Sequence, residues 1–167
     1  MIYTKRSLLA IFSIFLLVMV LTSSLTNSWI VDNSSTVNYG LWQHCNTTLA
    51  KFTHQVLNVD CHYRESVSAA TKATRGLTIL AIILATIATT YAFIGLFKKE
   101  FRNWLVSIHL LMAGVCMFIA IGVFAGHETG TIIVDRTKYF LHGWSFVLGG
   151  GSAAGCWLFA IFGFFAK

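Results

Sequence analysis

Side chains suited to redox, metal or proton chemistry are few in this sequence: four cysteines and six histidines in 167 residues. Cys45, Cys61, Cys116 and Cys156 include no C-x-x-C pair, which a quinone-linked disulfide reductase requires. His109 and His142 both fall in long apolar runs, where paired histidines can ligate haem. At 1.5 Å of helical rise per residue they stand about 20 Å apart in depth, too far to share one haem, and read as polar packing or interfacial residues. His44, His54 and His62 share a polar segment and could bind zinc or sense acidity, but their spacing fits no metal motif and predicts a solvated surface. No acidic or basic residue lies in the middle of an apolar run, so a proton relay or ion carrier has no groups to work with. Neither a catalytic group, a metal site nor a cofactor is expected.

The elements that hold these residues follow from composition. Hydrophobic residues make up 56% and charged residues 11%, which leaves too little polar surface for a soluble globule of this size. The formal net charge of +6 on so apolar a chain points to lipid headgroups and topology rather than nucleic acid, because no basic stripe could track phosphates. Four runs free of Asp, Glu, Lys and Arg are long enough to span a bilayer: 7–29, 76–97, 104–125 and 140–166. Backbone groups in lipid must be satisfied within the element, so these runs predict helices. The alternative for the first is a cleaved signal peptide, although its apolar stretch exceeds a usual signal core. Proline is absent, which predicts helices without proline kinks.

Four spans place both termini on one side. Lys5, Arg6, Lys98, Lys99, Arg102 and Lys167 crowd very short segments there, and by the positive-inside rule that side is cytoplasmic. The other side carries as many basic residues in longer loops, so density rather than number decides. The loop 30–75 adds independent support with two glycosylation sequons, at Asn33 and Asn46, and with Cys45 and Cys61, all suited to the lumenal side. In this loop period-two stretches such as 52–59 predict a small antiparallel sheet. The β-branched run Thr131-Ile132-Ile133-Val134 predicts an additional edge strand. A disulfide between Cys45 and Cys61 would crosslink the sheet and contribute about 3 kcal/mol in the chain-entropy picture. Cys116 and Cys156 lie within spans and read as small packing residues.

Trp29, the run Gly40-Leu41-Trp42, Cys45 and Cys61 together resemble the W-GLW-C-C signature of the claudin superfamily, which includes the peripheral myelin protein, epithelial membrane protein and lens fibre membrane protein branch and the stargazin-like channel subunits. Ala73-Thr74-Arg75-Gly76-Leu77 is similar to the claudin A-x-R-x-L start of the second helix. Trp144-Ser145-Phe146-Val147-Leu148-Gly149, Trp29-Ile30-Val31 and Leu41-Trp42-Gln43-His44-Cys45 look most like the myelin and lens branch. Two features depart from claudins: the Cys45 to Cys61 gap is longer, and the chain ends at Phe164-Phe165-Ala166-Lys167 without the C-terminal valine motif that binds PDZ scaffolds.

The combined reading is a membrane all-α four-helix transmembrane bundle, left-handed, carrying a small extracellular antiparallel β-sheet. It forms one tetraspan domain over 1–167, with extracellular loops at 30–75 and 126–139 and a cytoplasmic loop at 98–103. Trp29 at a helix end suits the headgroup interface, and Trp42 could lie across the base of the sheet. Arg75 could bond loop carbonyls and tie the sheet to the bundle. The G-x-x-x-G pairs Gly122/Gly126 and Gly151/Gly155 predict close helix approach, within the bundle or against a partner. The resemblance implies no enzyme. It implies a plasma-membrane protein in contact with the lipid bilayer, with itself or other tetraspan proteins in adhesion, barrier formation or membrane organisation, or with an ion channel or receptor as an auxiliary subunit. Charges in the first loop nearly cancel, which gives no sign of ion selectivity.

Overall fold

The structure is a computed structural model that describes residues 2–32, 37–49, 56–65, 67–98, 103–132 and 140–165. In chain order its elements are α1 (Ile2–Leu25), β1 (Ile30–Asp32), β2 (Val37–Tyr39), β3 (Gln43–Leu49), β4 (Val56–Tyr63), α2 (Ala69–Phe97), α3 (Trp104–Ile132), β5 (Phe140–His142) and α4 (Trp144–Phe165). All four helices are long and apolar enough to cross a membrane. They pack as a ring in which α1 contacts α2 and α4, and α3 closes the circle between them.

The interior of this ring combines larger apolar side chains, such as Leu9, Leu16, Val20, Val106, Leu110 and Met117, with many small and hydroxyl-bearing residues. On α2 the buried positions are Thr71, Thr74, Thr78, Ala81, Ala85, Ala88, Ala92 and Gly95. Their spacing alternates strictly between three and four residues, a 3.5-residue period that keeps one narrow seam facing the neighbours and favours left-handed packing. Lipid offers no hydrophobic drive for helices to associate, so short side chains that allow backbones to approach, together with interhelical hydrogen bonds, must supply the cohesion. Ser23 Oγ accordingly donates to Ser145 O at 2.8 Å between α1 and α4, and Thr89 Oγ1 to Ser13 O at 3.2 Å between α2 and α1. At the opposite end Arg6 Nη1 donates to Lys98 O at 2.8 Å, placing a cation on the C-terminus of α2, where the helix dipole favours it.

Helix packing uses only part of the expected glycines. A Cβ on Gly155 would lie 2.6 Å from Leu16 Cδ2, and one on Gly151 would make ordinary contact with Met19, so this pair faces α1. Gly122 and Gly126 differ: a Cβ on either would meet nothing within 4 Å, so the α3 pair is not a packing step within the bundle. The close approach of α3 to α4 occurs instead at Gly114, where a Cβ would press on the Trp157 ring at 2.6 Å.

The five-stranded antiparallel sheet has the order β4-β3-β2-β1-β5. Its fifth strand is not the β-branched run around residue 131. Thr131 and Ile132 continue α3 as helix, while Ile133 and Val134 lie outside the described residues. The added strand is Phe140–His142, which the apolar pattern assigns to the fourth span. Its pairing with β1 explains the difference, since Ile30 to Asp32 take up the ladder bonds of Phe140 to His142 and leave α4 to begin at Trp144. His142 therefore sits on a strand rather than in a span. The other boundaries shift similarly: α1 stops at Leu25, short of Trp29, and α2 starts at Ala69 under an N-cap in which Ser68 Oγ accepts from Thr71 N.

Two sets of substitutions test this packing. Ala85→Leu or Gly114→Leu should lower stability by about 1–3 kcal/mol through overpacking, whereas Gly122→Leu should leave the thermal midpoint in detergent within error of the parent. Equal effects at Gly114 and Gly122 would contradict the packing described.

Candidate functional site

The junction of the sheet with the helices explains the spaced Trp-Gly-Leu-Trp residues. An α-helix leaves its last carbonyls without intrahelical partners, and near the middle of a protein they need donors from elsewhere. At the end of α1, Thr22 O accepts from Thr26 N at 3.1 Å. The next carbonyl, Ser23 O, accepts from Trp29 Nε1 at 2.7 Å, and the one after, Ser24 O, accepts from Trp42 Nε1 at 2.8 Å. Each tryptophan thus caps one carbonyl of α1, Trp29 with its ring fully buried and Trp42 with its ring half-buried.

Trp29 is fully buried, not interfacial. Its ring lies edge-on to Phe124 of α3 at 4.9 Å and to Phe146 of α4 at 6.0 Å, in a cluster with Ile30 and Leu41. An indole can occupy such a place because its single polar atom is satisfied by Ser23 O. The backbone of the same stretch is pinned to the start of α4: Gly143 N donates to Trp29 O at 2.9 Å and Ser145 N to Ser28 O at 3.2 Å. Glycine is required at 143, because a Cβ there would collide with the Ser28 carbonyl. Gly40 is confined in the same way, with a Cβ falling 2.6 Å from Asn27 Cα. Trp104 and Trp144, at the starts of α3 and α4, are more than two-fifths exposed and so better suited to a membrane interface.

Arg75 makes the second tie. From the second turn of α2 its Nε donates to Leu41 O at 2.7 Å and an Nη to Arg64 O at 3.2 Å. Its guanidinium lies 5.0 Å from the Trp42 ring and 5.5 Å from the Tyr63 ring, so the cation is covered on its faces by aromatics and hydrogen-bonded in its plane. Arg64 Nη1 reaches Gly40 O at 3.3 Å, and Arg64 N donates to Trp42 O at 2.9 Å. The turn from β2 to β3 is therefore clamped by Arg64, just past the end of β4, and by Arg75 of α2.

Cys45 and Cys61 are directly paired on β3 and β4 and form a disulfide with a Cα–Cα distance of 4.1 Å. Asn27 Nδ2 donates to Cys45 Sγ at 3.3 Å, so the bridge also touches the segment after α1. Cys116 and Cys156 are free and buried in the helices. His109 Nδ1 donates to Leu105 O at 2.7 Å, and the ring packs near Tyr91 at 5.4 Å, the pattern of a packed polar residue. Asn46 is exposed on β3, while Asn33 lies outside the described residues, as do residues 50–55 and 133–139. Among the described residues no three His, Cys, Asp or Glu side chains are placed so that they could hold a metal ion.

Gly114, Gly143 and the small-residue seam of α2 belong to none of the sequence motifs, yet each shapes the packing. The seam does leave a signal in Ala81, Ala85, Ala88 and Ala92, spaced four, three and four. Gly143 leaves none, because its constraint comes from Ser28, more than a hundred residues away.

Four spanning helices carrying a disulfide-bridged sheet, joined by two tryptophans and an arginine, define a structural tetraspan membrane protein. A match to the family described as PMP-22/EMP/MP20/Claudin covers residues 5–166, and the chain belongs to that family. It is 27% identical over 136 residues to epithelial membrane protein 1 of Homo sapiens, covering 79% of this chain and 77% of the relative. With epithelial membrane protein 1 of Oryctolagus cuniculus it shares 28% identity over 139 residues, 78% of this chain and 77% of the relative. Members of this family are structural membrane proteins rather than enzymes, and this chain is a multi-pass membrane protein of that kind.

Trp29→Phe keeps the ring but leaves Ser23 O with only the 3.5 Å contact from Thr26 Oγ1, and should destabilise the fold by about 1–3 kcal/mol. Arg75→Lys should not rescue Arg75→Ala, because an ammonium cannot reproduce the in-plane bonds beneath two rings. Paired Cys45→Ser and Cys61→Ser should lose about 3 kcal/mol and impair export. Thermal unfolding in detergent and the fraction delivered to the cell surface read all three.

Proposed function

We propose that this chain acts by protein–protein contacts at the plasma membrane, in cell–cell adhesion, junction or barrier formation or membrane organisation. Both termini face the cytoplasm in this reading, and the sheet with the loops 30–75 and 126–139 faces outward. One observation carries the reading: the sheet is locked to the helices at three points yet leaves apolar side chains of its edge strand uncovered. Val59 is 53% and Tyr63 57% exposed on β4, beyond the apolar spans. A rigid edge with unpaired backbone groups and apolar residues suits association with another protein. The disulfide and the exposed Asn46 sequon support an outward sheet, and Arg6 and Lys98 at the far end of the bundle support cytoplasmic termini.

A second reading, an auxiliary subunit of a channel or receptor, is favoured by the outer face of α4. Val147, Gly151, Ala154, Leu158, Ile161 and Phe165 are all exposed and alternate in spacing between four and three residues, the pattern of a helix-packing seam. The upper part of this seam borders an apolar groove of about 500 Å³ formed by Met19, Trp144, Val147, Leu148 and Gly151.

Replacing Val59 with Thr should abolish clustering of transfected cells while surface delivery persists. Undiminished clustering, with Leu158→Ser removing a stoichiometric channel or receptor from the purified protein, would favour the second reading instead. Asn46→Gln should remove a glycosidase-sensitive mass shift, and retention of the whole shift would count against glycosylation at this site.

A further inference from the structure

Three rings cross the sheet in one row. Tyr39 of β2 pairs directly with His44 of β3, and His44 pairs directly with His62 of β4. Directly opposed side chains share one face of a sheet with their Cβ atoms about 5 Å apart. The ring centroids follow at 6.3 Å from Tyr39 to His44 and 5.6 Å from His44 to His62. The Tyr39 end of the row is fixed, because its ring packs on the buried cluster of Trp29, Ile30, Leu41 and Phe124. The other end is open: the His62 and Asp60 side chains are 63% and 65% exposed, with His62 Nε2 3.1 Å from Asp60 Oδ2. The next row on the same face is Val37, Asn46 and Asp60. Asn46, exposed, begins the sequon Asn46-Thr47-Thr48. It therefore stands beside Asp60 and two residues from His44, about 7 Å along the strand.

We propose that His44, His62 and Asp60 form a saccharide-binding shelf whose occupant is the N-linked glycan of Asn46 itself. The inference rests on the outward-facing sheet of the reading above. Attachment transfers an oligosaccharide from a polyprenyl pyrophosphate carrier: the bond from sugar C1 to the pyrophosphate oxygen breaks, a bond from C1 to Asn46 Nδ2 forms, and the amide proton leaves with the pyrophosphate. The first sugars of such a glycan, N-acetylglucosamines, are amphipathic. One side of the ring presents C–H groups, which suit the flat faces of the two imidazoles, and its hydroxyl and acetamido groups suit the Asp60 carboxylate and an imidazole nitrogen. A glycan tethered on the same face is held at an effective concentration of about millimolar, so a weak contact suffices to lay it down. The Cys45–Cys61 bridge holds β3 and β4 in register beside the histidines, so the shelf needs little ordering to receive it. Val59, next to Asp60 on β4, points to the opposite face and stays available to a protein partner.

The test uses the full chain made in animal cells and held in lipid nanodiscs, with diethyl pyrocarbonate as the histidine-modifying probe and mass spectrometry as the readout. Removing the glycan with a glycosidase, or by Asn46→Gln, should speed modification of His44 and His62 at least about 3-fold and leave His127 of α3 unchanged. Asn33→Gln should keep the protection. Conversely, His44→Ser combined with His62→Ser should hasten glycosidase release of the glycan from the folded chain. Non-reducing mass analysis of each variant confirms that the Cys45–Cys61 bridge, and with it the sheet, is intact. Equal modification with and without the glycan, or protection that persists in Asn46→Gln, would overturn the shelf and leave the outward sheet standing. A chain without a glycan on Asn46 would also overturn the shelf, and an epitope tag within 50–55 reached by antibody on intact cells then reads the outward sheet separately.

Discussion

The end of α1 sets the constraint around which the rest is arranged. A spanning helix that stops must find donors for its last carbonyls, and lipid or a packed interior supplies none. Ser23 O and Ser24 O receive theirs from the indoles of Trp29 and Trp42, two residues that lie on the sheet side of the junction. Satisfying the helix end and docking the sheet are thus one event. The flat rings carry the apolar contact, and the single N–H of each settles the polar requirement. Phenylalanine could supply only the first, and a shorter donor could not span the distance while filling the space between α3 and α4.

Other ties follow from this geometry. With Trp42 fixed over the end of α1, its outer face is available to the Arg75 guanidinium, and the carbonyls of Leu41 and Arg64 lie where that side chain donates. Gly40 and Gly143 allow the chain to pass against Asn27 and Ser28 without a side chain in the way. The disulfide then joins β3 to β4, so the outermost strand inherits the rigidity of the junction. A surface held this firmly meets a partner with little ordering cost, which is why an anchored sheet suits recognition better than a loose loop. Below it, the alanine and threonine seam of α2 lets the helices approach closely enough for their hydroxyls to bond across the ring.

Much of the architecture is legible in the amino-acid sequence. Four spans are visible because charges are excluded from hydrocarbon at high cost, and composition alone reports that exclusion. The claudin-like resemblance is visible because Trp29, Gly40, Leu41, Trp42, Cys45 and Cys61 lie within one short stretch of chain. Local pattern misleads where a long-range pairing outweighs it. Phe140-Leu141-His142 reads as the start of a span, yet β1 recruits it as a strand. Thr131 and Ile132 favour extended structure, yet the helix already begun in α3 continues through them. Trp29 reads as an interfacial residue because a helix end is assumed to be bare, whereas the sheet folds over it.

The sequence by itself determined that this is a four-span membrane protein of the PMP-22/EMP/MP20/Claudin family with a disulfide-bridged sheet, since hydropathy and a compact motif are properties of neighbouring residues. Only the tertiary structure decided which glycines pack, how the tryptophans and Arg75 join sheet to helices, and which histidines meet. Gly122 stands open and Gly114 is filled because of where Trp157 lies on another helix. His44 and His62 are neighbours because strand register, not sequence spacing, brings them opposite each other. In each case the deciding atom belongs to a residue far along the chain, and no local pattern records its position.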